Sequence, residues 1–243
     1  MNAAPHMNDP TDKPLKTGMP RGRPAVVAPA LEPLDATSEG PVDRQVYQAI
    51  RKSLMAGAIQ PGSKLSSRSI AGALGVSQMP VREALKRLDA DGVLRSSAKS
   101  AFVVHNLTQE EYREILAVRL PLEGLLIRRA TERVSAAEID MTFWLVDRMK
   151  ASRDWRHVLK YNFDLHFLLY RSAEMPYVLS IVENIWLRIG PALHMVNEAM
   201  PIERVAEPLD EVVAAVRARD PDRAEAALHA DILLNADNLL ARL

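Results

Sequence analysis

The segment from Ser66 to Leu88 constrains the fold of this chain more than any other stretch, because its turn chemistry and apolar spacing agree. Ser66 is placed to cap a short helix, and Gly75 supplies the turn that follows it at little steric cost. Ser77 can cap a second helix, whose first turn tolerates Pro80 because no N–H is needed there. The inward positions would be Ile70, Ala71 and Leu74 on the first helix and Val81, Leu85 and Leu88 on the second. This pattern predicts a helix-turn-helix, although a helical hairpin of an ordinary domain would look similar.

The outward positions near the start of the second helix carry side chains suited to reading DNA. These are Gln78, Met79, Arg82 and Lys86. Amides and guanidinium groups hydrogen-bond base edges, apolar groups contact the thymine methyl, and lysines pair with phosphates. The sequence therefore predicts that this helix enters the major groove of double-stranded DNA, with a solvated helix face as the alternative interpretation.

The net charge of the 243 residues is zero, but the charge is unevenly distributed. Residues 41–105 carry a net charge of +6, whereas residues 1–40 carry −1 and residues 106–243 carry −5. A basic unit joined to an acidic one is expected when only one part of a protein contacts phosphates.

The absence of cysteine excludes disulfides and thiolate metal sites. No apolar run approaches the roughly 20 residues of a membrane span, and the first residues lack the apolar core of a signal peptide. We therefore expect a cytoplasmic protein with no membrane partner.

Residues 1–40 are rich in proline and lack a helical period, which predicts a disordered tail. Within this tail, Arg21-Gly22-Arg23-Pro24 is similar to the core of an AT-hook, whose arginines lie in the narrow minor groove of A/T-rich DNA. Because the match is short, two alternatives stay open: the tail contacts DNA, or it is a proline-rich tail without a DNA contact.

The region around the helix-turn-helix contains one further helix and a hairpin. Val42, Val46, Ile50 and Leu54 form a helical stripe before it. After Gly92, the β-branched segments 93–95 and 101–104 predict two short strands. A hairpin directly after a recognition helix is a wing, and its tip, residues 96–100, carries Lys99. Residues 41–105 are therefore predicted to form a winged helix-turn-helix.

Residues 106–243 show helical spacing throughout. Thr108 with Glu111 and Ser135 with Glu138 form two capping boxes. The helical stretches are 109–133, 136–151, 155–172, 177–198, 203–218 and 221–241. The predicted fold class is therefore mostly α, with an N-terminal winged helix-turn-helix followed by an all-α bundle of six or seven helices that serves effector binding and dimerisation.

Two sets of motifs resemble a known family. The N-terminal set is Leu65-Ser66-x-Arg68-x-Ile70-Ala71-x-x-Leu74-Gly75-Val76-Ser77, then Met79-Pro80-Val81-Arg82-Glu83-Ala84-Leu85-x-Arg87-Leu88 and Asp91-Gly92-Val93-Leu94. The C-terminal set is Arg119-x-x-x-Glu123, Phe163-x-x-His166 and Ala215-Val216-x-Ala218-x-Asp220-x-x-x-Ala224. The first set resembles the GntR family of bacterial transcription regulators, and the second is similar to its FCD type of effector domain. The resemblance implies a homodimer on a pseudo-palindromic operator, most often a repressor, whose DNA affinity responds to a small molecule.

The resemblance also implies which residues contact DNA. The base contacts would fall on Arg68, Gln78, Met79 and Arg82, with Lys99 in the wing. The complete predicted set of DNA contacts is Ser67, Arg68, Ser77, Gln78, Met79, Arg82, Lys86 and Lys99. Relatives often have arginine where this chain has Gln78, and glutamine favours adenine where arginine favours guanine.

Many relatives of this type hold a divalent metal such as Zn, Ni or Mn in the helical domain. By resemblance, the four ligand positions here are Asn162, His166, Leu209 and Asp231, of which leucine cannot coordinate. Three alternatives stay open. In the first, His166 and Asp231 belong to a rebuilt metal site. In the second, they line a metal-free polar pocket. In the third, His166 is an ordinary hydrogen-bonded core residue.

A carboxylate effector is the expected ligand of the helical domain. Arg119 could bind it with two hydrogen bonds, or could instead pair with an acidic neighbour. Arg188 and His194 could line the same broad cavity. The predicted effector-binding residues are Arg119, Asn162, His166, Arg188, His194 and Asp231.

Two other classes of function compete with a ligand-responsive regulator. An enzyme acting on a small organic acid would need a nucleophile–base pair, a phosphate loop or an intact metal set, none of which the sequence contains. An architectural DNA protein would combine the tail with the winged unit, and would show little sequence preference and no effector response.

Overall fold

The computed structural model describes residues 31, 34, 40–97, 101–196 and 201–243. In chain order the elements are α1 (Val42–Met55), β1 (Lys64–Leu65), α2 (Ser67–Leu74), α3 (Gln78–Ala90), β2 (Leu94–Ser97), β3 (Ala101–Val104), α4 (Gln109–Arg133), α5 (Ala136–Ala151), α6 (Trp155–Ser172), α7 (Pro176–Val196), α8 (Ile202–Arg217) and α9 (Pro221–Leu240). We call α1–α3 with the strands the N-terminal unit, and α4–α9 the helical bundle. The predicted fold class, mostly α with a winged helix-turn-helix before a bundle, is confirmed.

The turn between α2 and α3 forms as its sequence predicts. The Ser66 hydroxyl accepts a hydrogen bond from the Ser69 N–H at 3.1 Å, and Gly75 ends α2 with φ of 68°, a left-handed conformation that favours glycine. Ser77 occupies the N-cap position of α3 but its side chain makes no capping hydrogen bond. The predicted cap is therefore present at the first helix and absent as a side-chain contact at the second.

The wing is part of a three-stranded antiparallel sheet with the order β1-β3-β2. Leu94 pairs with Val104 in the hairpin, and Lys64 pairs with Val103 on the other side of β3. The strand β1 was not expected, because two residues are too few to show an alternating pattern. The predicted wing contact Lys99 and the AT-hook-like segment 21–24 both lie outside the described residues.

The helical bundle begins with the capping boxes that the sequence predicts. Thr108 and Ser135 each accept a hydrogen bond from the N–H of the glutamate three residues on, and each glutamate accepts one in return. The pKa of Glu111 is lowered by its backbone hydrogen bond at Thr108, which keeps this carboxylate ionised at neutral pH. In the part of the chain that the structure describes, no helix is long and apolar enough to cross a membrane.

The N-terminal unit packs directly on the bundle through α1 and α7. A Cβ added at Gly190 of α7 would overlap the carbonyl oxygens of Leu54 and Met55 at the end of α1. A Cβ added at Gly57 would lie 2.9 Å from the Gly190 carbonyl oxygen. The two glycines therefore allow a close backbone approach between the two parts of the molecule.

Candidate functional site

The first candidate surface is the outward side of α3. Val81, Leu85 and Leu88 are buried on its inner side. Gln78, Met79 and Arg82 are exposed on the other side, and Met79 has 68% of its surface exposed in spite of being apolar. A single exposed apolar side chain is common on proteins, so what suits this surface to contact another molecule is the position of Met79 between Gln78 and Arg82 at the start of α3.

The remaining predicted DNA contacts lie around this surface. Ser67 begins α2 and is half-buried, Arg68 is exposed on the same helix, and Ser77 precedes α3 with its hydroxyl free of a capping bond. Lys86 is exposed but pairs with Glu83 at 2.9 Å. Because both side chains are about half exposed, this pair is weak and a phosphate can replace the glutamate.

The second candidate site is a buried polar cluster in the helical bundle, centred on Glu123. The Glu123 side chain is fully buried and accepts three hydrogen bonds. Arg119 Nε donates to Oε1 at 2.7 Å, Trp186 Nε1 donates to Oε1 at 2.9 Å, and Tyr170 Oη donates to Oε2 at 2.5 Å. Of the two alternatives for Arg119, the ion pair with an acidic neighbour is therefore present.

The ionisation of this cluster follows from burial and charge. Burial opposes the charge of Arg119, but the charge of Glu123 and the hydrogen bond to it outweigh that effect and raise the pKa of Arg119. Burial, reinforced by the Glu123 charge, raises the pKa of Tyr170 well above its usual value. At neutral pH Arg119 is therefore a guanidinium ion and Tyr170 is a neutral phenol.

His166 connects this cluster to α9. Its Nδ1 lies 3.1 Å from Tyr170 Oη, and its Nε2 lies 3.4 Å from Asp231 Oδ2. Asn235 Nδ2 donates to Asp231 Oδ1 at 3.1 Å. The structure thus brings Arg119, His166 and Asp231 together, as the sequence predicts.

Several polar atoms around the cluster are buried without a hydrogen-bonding partner among the described residues. They are Tyr112 Oη, Arg119 Nη1, Asn162 Oδ1 and His166 Nε2. Burial also raises the pKa of Tyr112, so its hydroxyl is protonated and available as a donor. Each such atom costs about 1–3 kcal/mol while it stays unsatisfied. These atoms are therefore the groups of the cluster that can hydrogen-bond a further molecule.

Sequence analysis placed none of Tyr112, Tyr170 and Trp186 in a site. Tyr112 lies two helical turns before Arg119 on the same face of α4, a spacing visible in the sequence. No local signal indicates that Tyr170 and Trp186 donate to Glu123, because they come from α6 and α7.

Two predicted effector-binding residues lie elsewhere, which corrects the expectation of one broad cavity. Arg188 Nη2 donates to the Asp91 carbonyl oxygen at 2.7 Å, at the junction with the N-terminal unit. His194 Nε2 lies 2.6 Å from Gln60 Nε2 at the same junction. Both residues are on α7, and both contact the N-terminal unit rather than Glu123.

The residues at the implied metal positions do not fit a divalent ion held as in the family. Leu209 is a buried apolar residue, and Asn162 supplies only a neutral oxygen. His166 and Asp231 remain, and no group of three His, Cys, Asp or Glu in the described part of the chain could hold a metal ion. Structural zinc sites use four protein ligands and catalytic zinc sites use three, so this pair alone falls short of a zinc site.

Comparison with known proteins identifies both parts of the chain. Residues 43–104 match the family described as bacterial regulatory proteins, gntR family, and residues 114–233 match the FCD domain. Together these two matches span the N-terminal unit and most of the helical bundle.

Curated relatives cover most of the chain. The HTH-type transcriptional regulator McbR of Escherichia coli is 28% identical over 184 residues, which are 73% of this chain and 83% of McbR. A probable D-xylose utilization operon transcriptional repressor of Paenarthrobacter nicotinovorans is 29% identical over 201 residues, 80% of this chain and 89% of the relative. The solved structure of E. coli McbR superposes with a TM-score of 0.76 at 26% identity, covering 84% of this chain and 99% of McbR.

Proposed function

Since this chain belongs to the GntR family of bacterial regulatory proteins and is a transcription regulator, we propose that it is a repressor that binds its operator as a homodimer and releases it in response to a small carboxylate. The observation that carries the DNA-binding part is the exposed row of Gln78, Met79 and Arg82 on the outer side of α3. Relatives over most of the chain include a probable operon repressor, which supports the sign of regulation.

Arg82→Ala is expected to raise the Kd for operator DNA by roughly 5- to 150-fold, equivalent to about 1–3 kcal/mol. Arg82 is exposed near the start of α3, where a guanidinium can bind guanine O6 and N7 with two hydrogen bonds. The measurement is a fluorescence-anisotropy titration of a labelled duplex that the wild-type protein selects from a random pool. Two chains per duplex is the expected stoichiometry, because paired helix-turn-helix units read half-sites about one DNA turn apart.

The matched control is Arg129→Ala, which removes the same charge from an exposed position on α4 in the helical bundle. Its Kd should stay within about twofold of wild type, because the site lies outside the N-terminal unit. Equal losses from both variants would assign the effect of Arg82 to overall charge rather than to base contacts. Failure of the wild-type protein to select any sequence would favour the architectural alternative.

The buried cluster supports the effector part of the proposal. A carboxylate can accept hydrogen bonds from Arg119 Nη1 and Tyr112 Oη, two donors that lie near each other and make no other hydrogen bond among the described residues. Asn162 Oδ1 and His166 Nε2 can engage a hydroxyl group on the same ligand, which favours a hydroxy acid. Because Arg119 keeps its ion pair with Glu123, the ligand would bind to the free end of the guanidinium rather than replace the glutamate.

Tyr112→Phe is expected to weaken ligand binding without lowering the stability of the free protein. The substitution removes an unsatisfied buried hydroxyl, so the free energy of unfolding should stay constant or rise by about 1 kcal/mol. The rise in Tm caused by a bound hydroxy acid should fall, because the ligand loses a donor. The measurement is a thermal-shift screen of hydroxy acids, dicarboxylates and sugar acids, with and without Zn²⁺, Ni²⁺ or Mn²⁺.

Tyr161→Phe is the matched control, because Tyr161 lies on the outer part of α6 against Trp144 and away from Glu123. It should leave both the Tm and the ligand-induced shift unchanged. A shift that requires a divalent metal would contradict the metal-free pocket. Loss of the shift in Tyr161→Phe but not in Tyr112→Phe would place the ligand outside the buried cluster.

A further inference from the structure

The helix α7 contacts the buried cluster with one face and the C-terminal end of α3 with the opposite face. Trp186 is fully buried, and its indole N–H donates to Glu123 in the cluster. Arg188 follows two residues later, about 200° around the helix, and its Nη2 donates to the Asp91 carbonyl oxygen. Asp91 is the C-cap residue of α3, the recognition helix. A shift of α7 at the cluster therefore moves a group that holds the end of that helix.

A second path joins α7 to the same aspartate through its side chain. Glu183 of α7 pairs with Arg51 Nη2 at 3.1 Å. Arg51 Nη1 donates to Tyr47 Oη at 3.2 Å, and Tyr47 Oη donates to Asp91 Oδ2 at 3.1 Å. Arg188 thus holds Asp91 at its carbonyl oxygen. The series of contacts from Glu183 through Arg51 and Tyr47 holds Asp91 at its carboxylate.

The packing around these bonds is stiff, which allows small displacements to be transmitted. The Arg87 guanidinium, in the last turn of α3, lies 4.1 Å from the centre of the Tyr47 ring. Gly190 brings the backbone of α7 against the end of α1, directly beyond Arg188. Close-packed elements of this kind transmit a displacement instead of absorbing it.

We propose that Arg188 is a positioning residue for DNA recognition: its hydrogen bond to the Asp91 carbonyl fixes the recognition helix relative to α7, and so couples the buried cluster to the DNA surface. This inference rests on the proposed function, since it assigns the route between its two sites. Coupling between two binding sites is reciprocal, so DNA changes the affinity of the buried cluster for its ligand by the same factor as the ligand changes the affinity for DNA. Because the proposed route runs through α7, we expect DNA binding to change the surroundings of Trp186. The coupling can therefore be measured with DNA alone.

The three tryptophans make the measurement possible, since Trp144, Trp155 and Trp186 all lie in the helical bundle. A Trp144→Phe/Trp155→Phe parent leaves Trp186 as the reporter. The probe is the labelled duplex selected by the wild-type protein, with binding followed by anisotropy and the response followed by Trp186 emission. We expect the duplex to change Trp186 emission in this parent. Arg188→Met should abolish most of that change at saturating DNA.

The control variants separate positioning from folding. Arg188→Lys keeps a donor and should retain part of the emission change. Arg153→Met removes an exposed arginine of the bundle and should retain all of it. Tyr47→Phe cuts the second path without touching α7, and should reduce the emission change even if Arg188→Met fails to fold.

The outcomes distinguish this inference from the function on which it rests. Binding of the duplex without an emission change in the parent would overturn the inference alone. Equal emission changes in the parent, Arg188→Met and Tyr47→Phe would also overturn it. Failure of the wild-type protein to select and bind any duplex would overturn the proposed function, and this inference with it.

Discussion

Replacing Glu123 by leucine is expected to lower the free energy of unfolding by about 3–5 kcal/mol. Leucine fills a similar volume, so the loss comes from electrostatics rather than from a cavity. The Arg119 guanidinium would remain charged and buried without its partner, and Tyr170 and Trp186 would each lose an acceptor. Urea denaturation followed by tryptophan fluorescence measures the effect, because the three tryptophans lie in the helical bundle.

Two further variants identify the cause. Glu132→Leu breaks the Arg129 pair on the surface, where the two side chains are 47% and 51% exposed, and should cost no more than about 1 kcal/mol. Arg119→Met combined with Glu123→Leu should recover part of the loss, since removing both charges of a buried pair costs less than removing one. A cost for Glu123→Leu as small as that for Glu132→Leu would show that another group or water neutralises Arg119.

Gly190→Ala is expected to destabilise the protein by about 1–3 kcal/mol or more, although alanine ordinarily favours a helix. The added methyl group would overlap the carbonyl oxygens of Leu54 and Met55. These are backbone atoms at the end of α1, so relief requires the N-terminal unit to move away from α7. Thermal unfolding measures the loss, and operator titration should show altered affinity because α7 also holds Asp91.

Gly72→Ala is the control of opposite sign. A Cβ at Gly72 in α2 would meet no atom within 4 Å, so the substitution should stabilise the protein by about 0.5–1 kcal/mol through the helix propensity of alanine. Stabilisation by both variants would mean that α1 and α7 separate in solution.

The features that sequence analysis predicted best are those fixed by neighbours along the chain. The capping boxes at Thr108 and Ser135 formed because a hydroxyl and a carboxylate three residues apart always lie within reach at a helix start. Gly75 ends α2 as predicted, because this end requires only that Gly75 itself adopts a left-handed backbone conformation. The helix boundaries in the bundle agree within two residues for the same reason.

Predictions that depended on long-range geometry were less complete. The motif Arg119-x-x-x-Glu123 left two roles open for the arginine, and the structure shows the ion pair, with Arg119 Nε donating to Glu123 Oε1 at 2.7 Å. Arg188 and His194 were assigned to the effector pocket from their residue types. They contact the N-terminal unit instead, because that unit packs on their side of α7.

By itself the sequence determined the order of the helices and the exposed face of α3, which follow from residue type and from periods of a few residues, and its motifs carried the resemblance to the family. Only the tertiary structure decided which partner each face of α7 meets: Glu123 for Trp186 and Asp91 for Arg188. A helical period predicts that two side chains point in opposite directions, but it does not predict which residues pack against either face of the helix. The physical reason is that such contacts join residues 63 and 97 positions apart, and only the packing of the whole chain brings them together.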